Sequence, residues 1–352
     1  MKDDPALLRA MFKDLSLQYR QYQPGPYWEE YSRRIAHAII QDGIKAFRSN
    51  YTLSKGLADA PLLDPSTLWR GLGWKKSLLR RLANSRALHS TLIKPYLRAI
   101  NFQYRQMNRY RQKYYESRFG EWLASSILVG EDCIDTLAGG CRDYLDLNGR
   151  HVAVTYVRQL MRIHNFSSKV DFQRVKSVVE IGGGFGANAH LLLTMFPSIR
   201  KYLYIDLPPM LYIGTQYLRH FFREQVIDYL RTRGKTHVSF ADNDDREIIA
   251  ACPWQIGSLE IEMDLFWNSA SFQEMEASTI SNYLSWLSRL QGRGTSCLII
   301  YRGGTPKTTR TVEEIITLAD KYLETSILEP EIEDLPAPVY LLGFRRPAIG
   351  KD

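Results

Sequence analysis

The fold is read from Ser177-Val178-Val179-Glu180-Ile181-Gly182-Gly183-Gly184-Phe185-Gly186-Ala187. A run rich in Val and Ile ends in a carboxylate and breaks at a cluster of glycines. It restarts as Asn188-Ala189-His190-Leu191-Leu192-Leu193, which has the spacing of a buried helix face. The pattern is a strand, a tight loop and a helix start. Side chains at the glycine positions would keep the backbone away from a bound ligand, and the turn demands φ values that other residues reach only with strain. Such a loop holds a small molecule against a helix N-terminus.

Two cofactors compete for it. Read as Gly182-x-Gly184-x-x-Ala187, the loop is a dinucleotide fingerprint. Read as Glu180-x-Gly182-x-Gly184-x-Gly186, it has the pattern of S-adenosylmethionine-dependent methyltransferases of the Rossmann-like class. The carboxylate favours the second. A pyrophosphate is anionic and gains nothing from Glu180, whereas the amino acid end of S-adenosylmethionine carries an ammonium and a sulfonium. A second acid suits either cofactor: Tyr202-Leu203-Tyr204-Ile205-Asp206 is a strand ending in Asp206, about 20 residues beyond the loop, where an acid takes ribose hydroxyls. Leu207 follows it on the same ligand edge.

The 352 residues exceed one ordinary domain, and 45% hydrophobic content is enough to build a core. Cys133, Cys141, Cys252 and Cys297 lack paired metal-ligand spacing, and Met1-Lys2-Asp3-Asp4-Pro5 lacks an apolar signal core, so a reduced, cytoplasmic protein is expected. No apolar run approaches a membrane span of roughly 20 residues, which leaves peripheral membrane contact open. Charge is uneven: residues 1 to 118 hold 22 Lys or Arg against 9 Asp or Glu, within an overall net charge of +8. Residues 69 to 81, with Lys75, Lys76, Arg80 and Arg81, and the interleaved Arg and Tyr of residues 98 to 118 predict attraction of an anionic partner. The alternative is a solvated helix face with its tyrosines packed inward.

Leu7, Leu8, Met11, Phe12 and Leu15 recur at helical spacing, as do Ile35, Ile39, Ile40, Ile44 and Phe47. Three parts are expected: a helical N-terminal domain over 1–130 that covers the site or pairs subunits, a bridging hairpin and helix over 131–170, and a cofactor-binding α/β domain over 171–352. Asn148-Gly149 predicts the hairpin turn, followed by a helix over 152–164. Beyond Asp206, a helix over 210–230, strands over 237–240, 263–268 and 296–301, a helix over 280–290 and a further one over 312–322 give βαβ repetition, with two closing extended pieces near Ile327 and over 339–344. This implies a Rossmann-like parallel sheet with helices on both faces.

Val179 to Gly186, Tyr204-Ile205-Asp206-Leu207-Pro208-Pro209 and Asn268-Ser269-Ala270-Ser271-Phe272-Gln273-Glu274-Met275 together resemble the sugar O-methyltransferase family of bacterial natural-product and surface-polysaccharide clusters. The resemblance spans about residues 135 to 345. It implies S-adenosylmethionine as cofactor and a small-molecule or glycan hydroxyl as acceptor, on a nucleotide-linked, phosphorylated or glycan-bound sugar. Alternatives are an NAD-dependent oxidoreductase and an RNA-binding methyltransferase-like protein. The absence of an Asn-Pro-Pro-Tyr-type motif counts against RNA, and a homodimer is compatible.

Methyl transfer to a hydroxyl needs alignment and a base. Glu274, just past a strand on the ligand edge, is the candidate base; its alternative role is a capping acid, with Ser271 as N-cap of a capping box. Asn268 and Ser269 at the strand end would bind the cofactor, as would Asp242 and Asn243, which in this fold class sit where the adenine amino group is received. Ser271, Gln273, Arg302 and Tyr156 are the substrate-binding candidates. The histidines carry structural readings, and no His, Cys and carboxylate cluster indicates a metal, although Glu262 and Asp264 leave room for a divalent cation.

Overall fold

The structure is a computed structural model that describes residues 1–50, 53, 94–129, 134–290, 294–301, 310–333 and 338–345. The basic stretch 69–81 and Arg302 lie outside the described residues.

Two helices open the chain. Helix α1 (Pro5–Leu15) begins at Asp4, whose side chain accepts from the Leu7 amide, with Pro5 at the first helical position. Helix α2 (Pro26–Asp42) also starts on a proline and stops at Gly43, whose φ of 66° only glycine adopts without strain. The long helix α3 (Lys94–Ala124) leads to the hairpin β1 (Tyr144–Leu147) and β2 (Arg150–Ala153). Asn148 and Gly149 both take positive φ there, as a two-residue turn of this chemistry demands.

Helix α4 (Val154–Ser167) runs into the main sheet. Its elements are β3 (Ser177–Ile181), α5 (Ala187–Met195), β4 (Lys201–Ile205), α6 (Pro208–Phe222), β5 (Val226–Ile227), α7 (Tyr229–Thr232), β6 (Glu247–Ala251), β7 (Leu265–Ser269), α8 (Ala277–Leu287), β8 (Thr295–Tyr301), α9 (Val312–Ala319), β9 (Leu323–Leu328) and β10 (Pro338–Arg345). Strand order is β5-β6-β4-β3-β7-β8-β10-β9. Every pairing from β5 to β8 is parallel, whereas β10 runs antiparallel to both β8 and β9. An antiparallel strand inserted next to the edge departs from the 3-2-1-4-5-6 order of dinucleotide folds. A Rossmann-like, mostly parallel sheet with helices on both faces is the observed fold.

Side chains alternate between the faces. Val178, Tyr202, Tyr204, Leu265 and Trp267 pack with α4, α5 and α6 on one side, and Val179, Ile181, Leu203, Phe266 and Leu298 with α8 and α9 on the other. Leu7, Met11, Ile35, Ile39 and Phe47 from α1, α2 and the turn after them, with Tyr115, Phe119 and Leu123 of α3, belong to the first of these cores. Among the described residues the helical N-terminal part therefore shares the core of the sheet. Ile40, read as part of the apolar stripe, is 75% exposed.

Two expectations about the elements are corrected. Residues 237–240 are not a sheet strand; Val238 makes only an isolated bridge to Leu259. The third parallel strand on that side is β6, which the sequence reading passed over because Glu247-Ile248-Ile249-Ala250-Ala251 sits directly behind an acidic turn. The helix after Asp206 is also shorter than expected: it ends where Arg223 takes φ 48°, and the chain turns into β5 and α7.

Candidate active site

Parallel strands deliver all their carboxyl ends to one edge, and the connections leaving that edge part at β3, from which β4 lies on one side and β7 on the other. A cavity of about 330 Å³ opens there. Its floor is Gly182, Gly183 and Gly184 after β3, Asp206 and Leu207 after β4, Pro253 after β6, Ser269 to Ser271 after β7 and Tyr301 at the end of β8. Its walls are Arg158, Gln159 and Arg162 from α4, and Gln21 to Gly25, Trp28 and Tyr31 from the N-terminal segment.

The glycine loop is held by hydrogen bonds and by close packing. Gly182 (φ 75°) donates its N–H to the Ile205 carbonyl at 2.8 Å, and Gly186 (φ 88°) opens α5. A Cβ at Gly182 would stand 2.3 Å from Ser271 Oγ, and one at Gly183 would stand 2.7 Å from Glu180 Oε2. Asp206 bridges the loop to the next element: Oδ2 accepts from the Gly184 amide at 2.9 Å and Oδ1 from the Leu207 amide at 2.7 Å. Burial raises its carboxyl to about 7, against the two amide bonds that pull it down, with the charges of Glu180 and Glu274 adding to the rise.

Glu180 borders the cavity from beneath the loop. It is 1% exposed, and its carboxyl accepts from Asn188 Nδ2 at 3.0 Å and from the Tyr202 hydroxyl at 2.8 Å. Burial raises it to about 7, opposed by those two bonds. Its contacts tie β3 to α5 and β4 and so support the glycine loop from below.

After β7 the chain turns sharply. Ala270 sits at φ 63°, an uncommon left-handed conformation for a residue with a Cβ. The turn brings Ser271 back over β3, where its Oγ donates to the Ile181 carbonyl at 3.1 Å. Asn268, 1% exposed, donates to the same carbonyl at 2.9 Å and to Ser271 Oγ at 2.6 Å, and accepts from the Phe272 amide at 3.2 Å. Asn268 thus braces the loop rather than facing the cavity.

Phe272–Glu274 then forms a single tight turn in which the Ser271 side chain makes no capping bond. The capping box weighed for Ser271 and Glu274 is not formed, because that hydroxyl is engaged with β3. Glu274 instead borders the cavity and accepts a 3.0 Å hydrogen bond from Trp28 Nε1 of α2. Burial raises its carboxyl to about 7, with the Trp28 bond pulling the other way.

Ser269 Oγ accepts from Arg162 Nη1 at 2.7 Å, and Arg162 Nη2 donates to the Tyr301 hydroxyl at 2.5 Å. This buried guanidinium therefore spans the tips of β7 and β8 at the cavity.

The remaining sequence candidates fall elsewhere. Asp242 and Asn243 precede β6; Asn243 Oδ1 accepts from Lys201 Nζ at the start of β4, so both residues lie at the opposite edge of the sheet. Their reading depended on a strand over 237–240. Gln273 is 8% exposed and points to β8, its Oε1 accepting from the Tyr301 amide at 2.8 Å. Tyr156 is fully buried between α5 and α6, its hydroxyl 2.6 Å from both His190 Nδ1 and the Tyr217 hydroxyl. Asp264 accepts from the Lys176 and Ser177 amides at the far edge, which removes it from the acceptor side, and the described residues contain no group of three metal-ligating side chains.

Sequence reasoning missed Trp28, Arg158, Arg162, Pro253 and Tyr301. Arg162 had a signal, a charged residue on the apolar face of α4 between Met161 and Ile163, whereas Trp28 reaches Glu274 across 246 positions of sequence.

No curated protein matches the chain. Similar solved structures include PigF with SAH (12% identity, TM-score 0.38, 54% of this chain and 56% of that one) and human N-acetylserotonin methyltransferase in complex with SAM (12%, 0.36, 55% and 52%). The S-adenosylmethionine-dependent methyltransferase SibL in its apo form is another (13%, 0.37, 54% and 57%). The chain spans a little over half the length of these proteins. Residues 153–234, from the end of β2 through α4 and the glycine loop to just past α7, match the family model described as an O-methyltransferase domain.

Proposed function

We propose that the protein is an S-adenosylmethionine-dependent O-methyltransferase in which Glu274 is the general base for a small hydroxyl-bearing acceptor. The observation that carries this reading is the placement of the Glu274 carboxyl on the cavity that the glycine loop and Asp206 floor, with its ionisation near 7. A base poised near neutral pH combines a useful ionised fraction with the capacity to take a proton.

The residues fit the donor. Glu180, Asp206 and Glu274 surround the cavity with carboxyls, which suits a cationic sulfonium and ammonium and opposes an anionic pyrophosphate. Gly182, Gly184 and Asp206 would hold it. Bound there, the donor supplies a methyl group made electrophilic by its sulfonium. The chain's own contribution is to hold the acceptor hydroxyl by the β7 and β8 tips, to exclude water with the N-terminal segment, and to take the hydroxyl proton at Glu274.

The finer reading, a sugar hydroxyl on an anionic carrier in natural-product or surface-polysaccharide biosynthesis, rests on the resemblance of the three sequence blocks and on the two arginines of α4. No described helix is long and apolar enough to cross a membrane. The test is methyl transfer from isotopically labelled S-adenosylmethionine to a panel of neutral and phosphorylated sugars, alongside thermal shifts with S-adenosylmethionine and NAD. Stabilisation by S-adenosylmethionine is expected by mass action. Stabilisation by NAD alone overturns the assignment.

A further inference from the structure

We propose that Trp28 is a positioning residue for Glu274, so that the N-terminal helix α2 sets the state of the catalytic carboxyl across the cavity. This rests on the reading of Glu274 as the base.

The geometry is built to deliver this one indole. Pro24-Gly25-Pro26 forces the chain to turn before α2, and the Trp28 and Glu29 amides both donate to the Gly25 carbonyl, at 3.0 and 2.9 Å. Trp28 therefore sits in the first turn of α2 with its ring on the cavity wall. The segment is seated on the loop that carries Glu274: Arg20 pairs with Glu276 at 3.6 Å, and Gly25 lies beside the Glu276 side chain at ordinary contact distance. The indole N–H can only donate. Its 3.0 Å bond to Glu274 Oε2 favours the carboxylate over the carboxylic acid and leaves Oε1 for a substrate proton.

Other groups face Glu274 as well. Asp206 on the glycine-loop side opposes its ionisation, and Glu180, with Arg158 and Arg162 of α4, lines the same cavity. Glu276 at the rim is balanced by Arg20. These groups are common to the wild type and a Trp28 variant, so a difference between the two reports the indole.

The experiment is the pH dependence of kcat for the wild type, Trp28→Phe and Trp28→Leu, neither of which carries a side-chain donor, with the donor dissociation constant measured on each. Without the N–H, the acid limb of kcat should move to higher pH by about one unit, since a hydrogen bond to a charged group is worth one to two pH units of ionisation. Turnover should fall several-fold at pH 6 and approach the wild type at pH 9, with donor affinity unchanged. In a Glu274→Gln background the same substitution should add nothing. An acid limb at the wild-type position in whichever variant folds, or an equal loss of turnover in the Glu274→Gln background, overturns the proposal. A wild type inactive in methyl transfer, or a Glu274→Gln enzyme of full activity, rejects the base reading itself and not the role of Trp28 alone.

Discussion

Three carboxyls around one cavity, Glu180, Asp206 and Glu274, are each raised to about 7 by burial, yet their surroundings give them different work. Glu274 borders the cavity and its carboxyl accepts from Trp28, so on the proposed reading Glu274→Gln should preserve the fold and donor affinity while lowering turnover about 10²–10⁴-fold in a steady-state assay. Turnover within a few-fold of wild type sends the search for a base to another residue. Asp206 accepts from two amides of the cavity floor, and on the proposed reading Asp206→Ala should weaken donor binding by about 1.5–3 kcal/mol in calorimetry. Glu180 is closed in by Tyr202 and Asn188, and its signature is in stability. Folding raises this carboxyl from 4.5 to about 7, so the folded state binds the proton more tightly than the unfolded chain. The resulting stabilisation is complete below about 4.5 and disappears as pH climbs through about 7. Glu180→Gln retains the shape, and should melt close to wild type at pH 5 and above it at pH 8. Melting curves of the two proteins that stay parallel from pH 5 to 8 would rule this out.

The loop after β3 and the loop after β7 are one device made by two elements. Ile181 presents a single carbonyl that both Asn268 and Ser271 bind, and Gly182 is packed so tightly against Ser271 that no Cβ can enter. Gly182→Ala should therefore cost more than its positive φ alone requires, and should lose donor binding as the β7 loop is pushed away. Combining it with Ser271→Gly removes the clash and should recover part of the donor affinity. No recovery would place the whole cost in the backbone conformation.

On the scale of the whole molecule, the N-terminal helices are tied to the sheet at points far from the cavity. Asp14 of α1 accepts from Arg233 at 2.6 and 2.7 Å and from the Tyr229 hydroxyl at 2.5 Å, which docks α1 beside α7. The Arg233 bond is the largest influence holding Asp14 below the ordinary carboxylate range. The stabilisation it confers is present above the unfolded value near 3.8 and is lost as pH falls below it. Asp14→Asn should lower Tm at neutral pH and by progressively less as the pH falls below 3.8, while leaving kcat unchanged at assay temperature. A fall in kcat that tracks the fall in Tm would show that α1 also holds the cavity wall.

Local chemistry was enough to read the strand, loop and helix around Gly182, the Asp206 strand end and the Asn148-Gly149 hairpin, because each depends on residues within a few positions of one another. Glycine φ, apolar periodicity and turn composition act at that range. The tertiary structure decided everything that depended on which partner arrives from a distance. Glu274 is no capping acid because β3 claims the Ser271 hydroxyl. Asp242 and Asn243 lie away from the cavity because β6, not residues 237–240, joins β4. Tyr156 and Gln273 turn inward because His190, Tyr217 and the Tyr301 amide offer buried polar partners. Trp28 reaches the active-site carboxyl because α2 buries Ile35 and Ile39 in the same core as the sheet, a contact no sequence periodicity encodes.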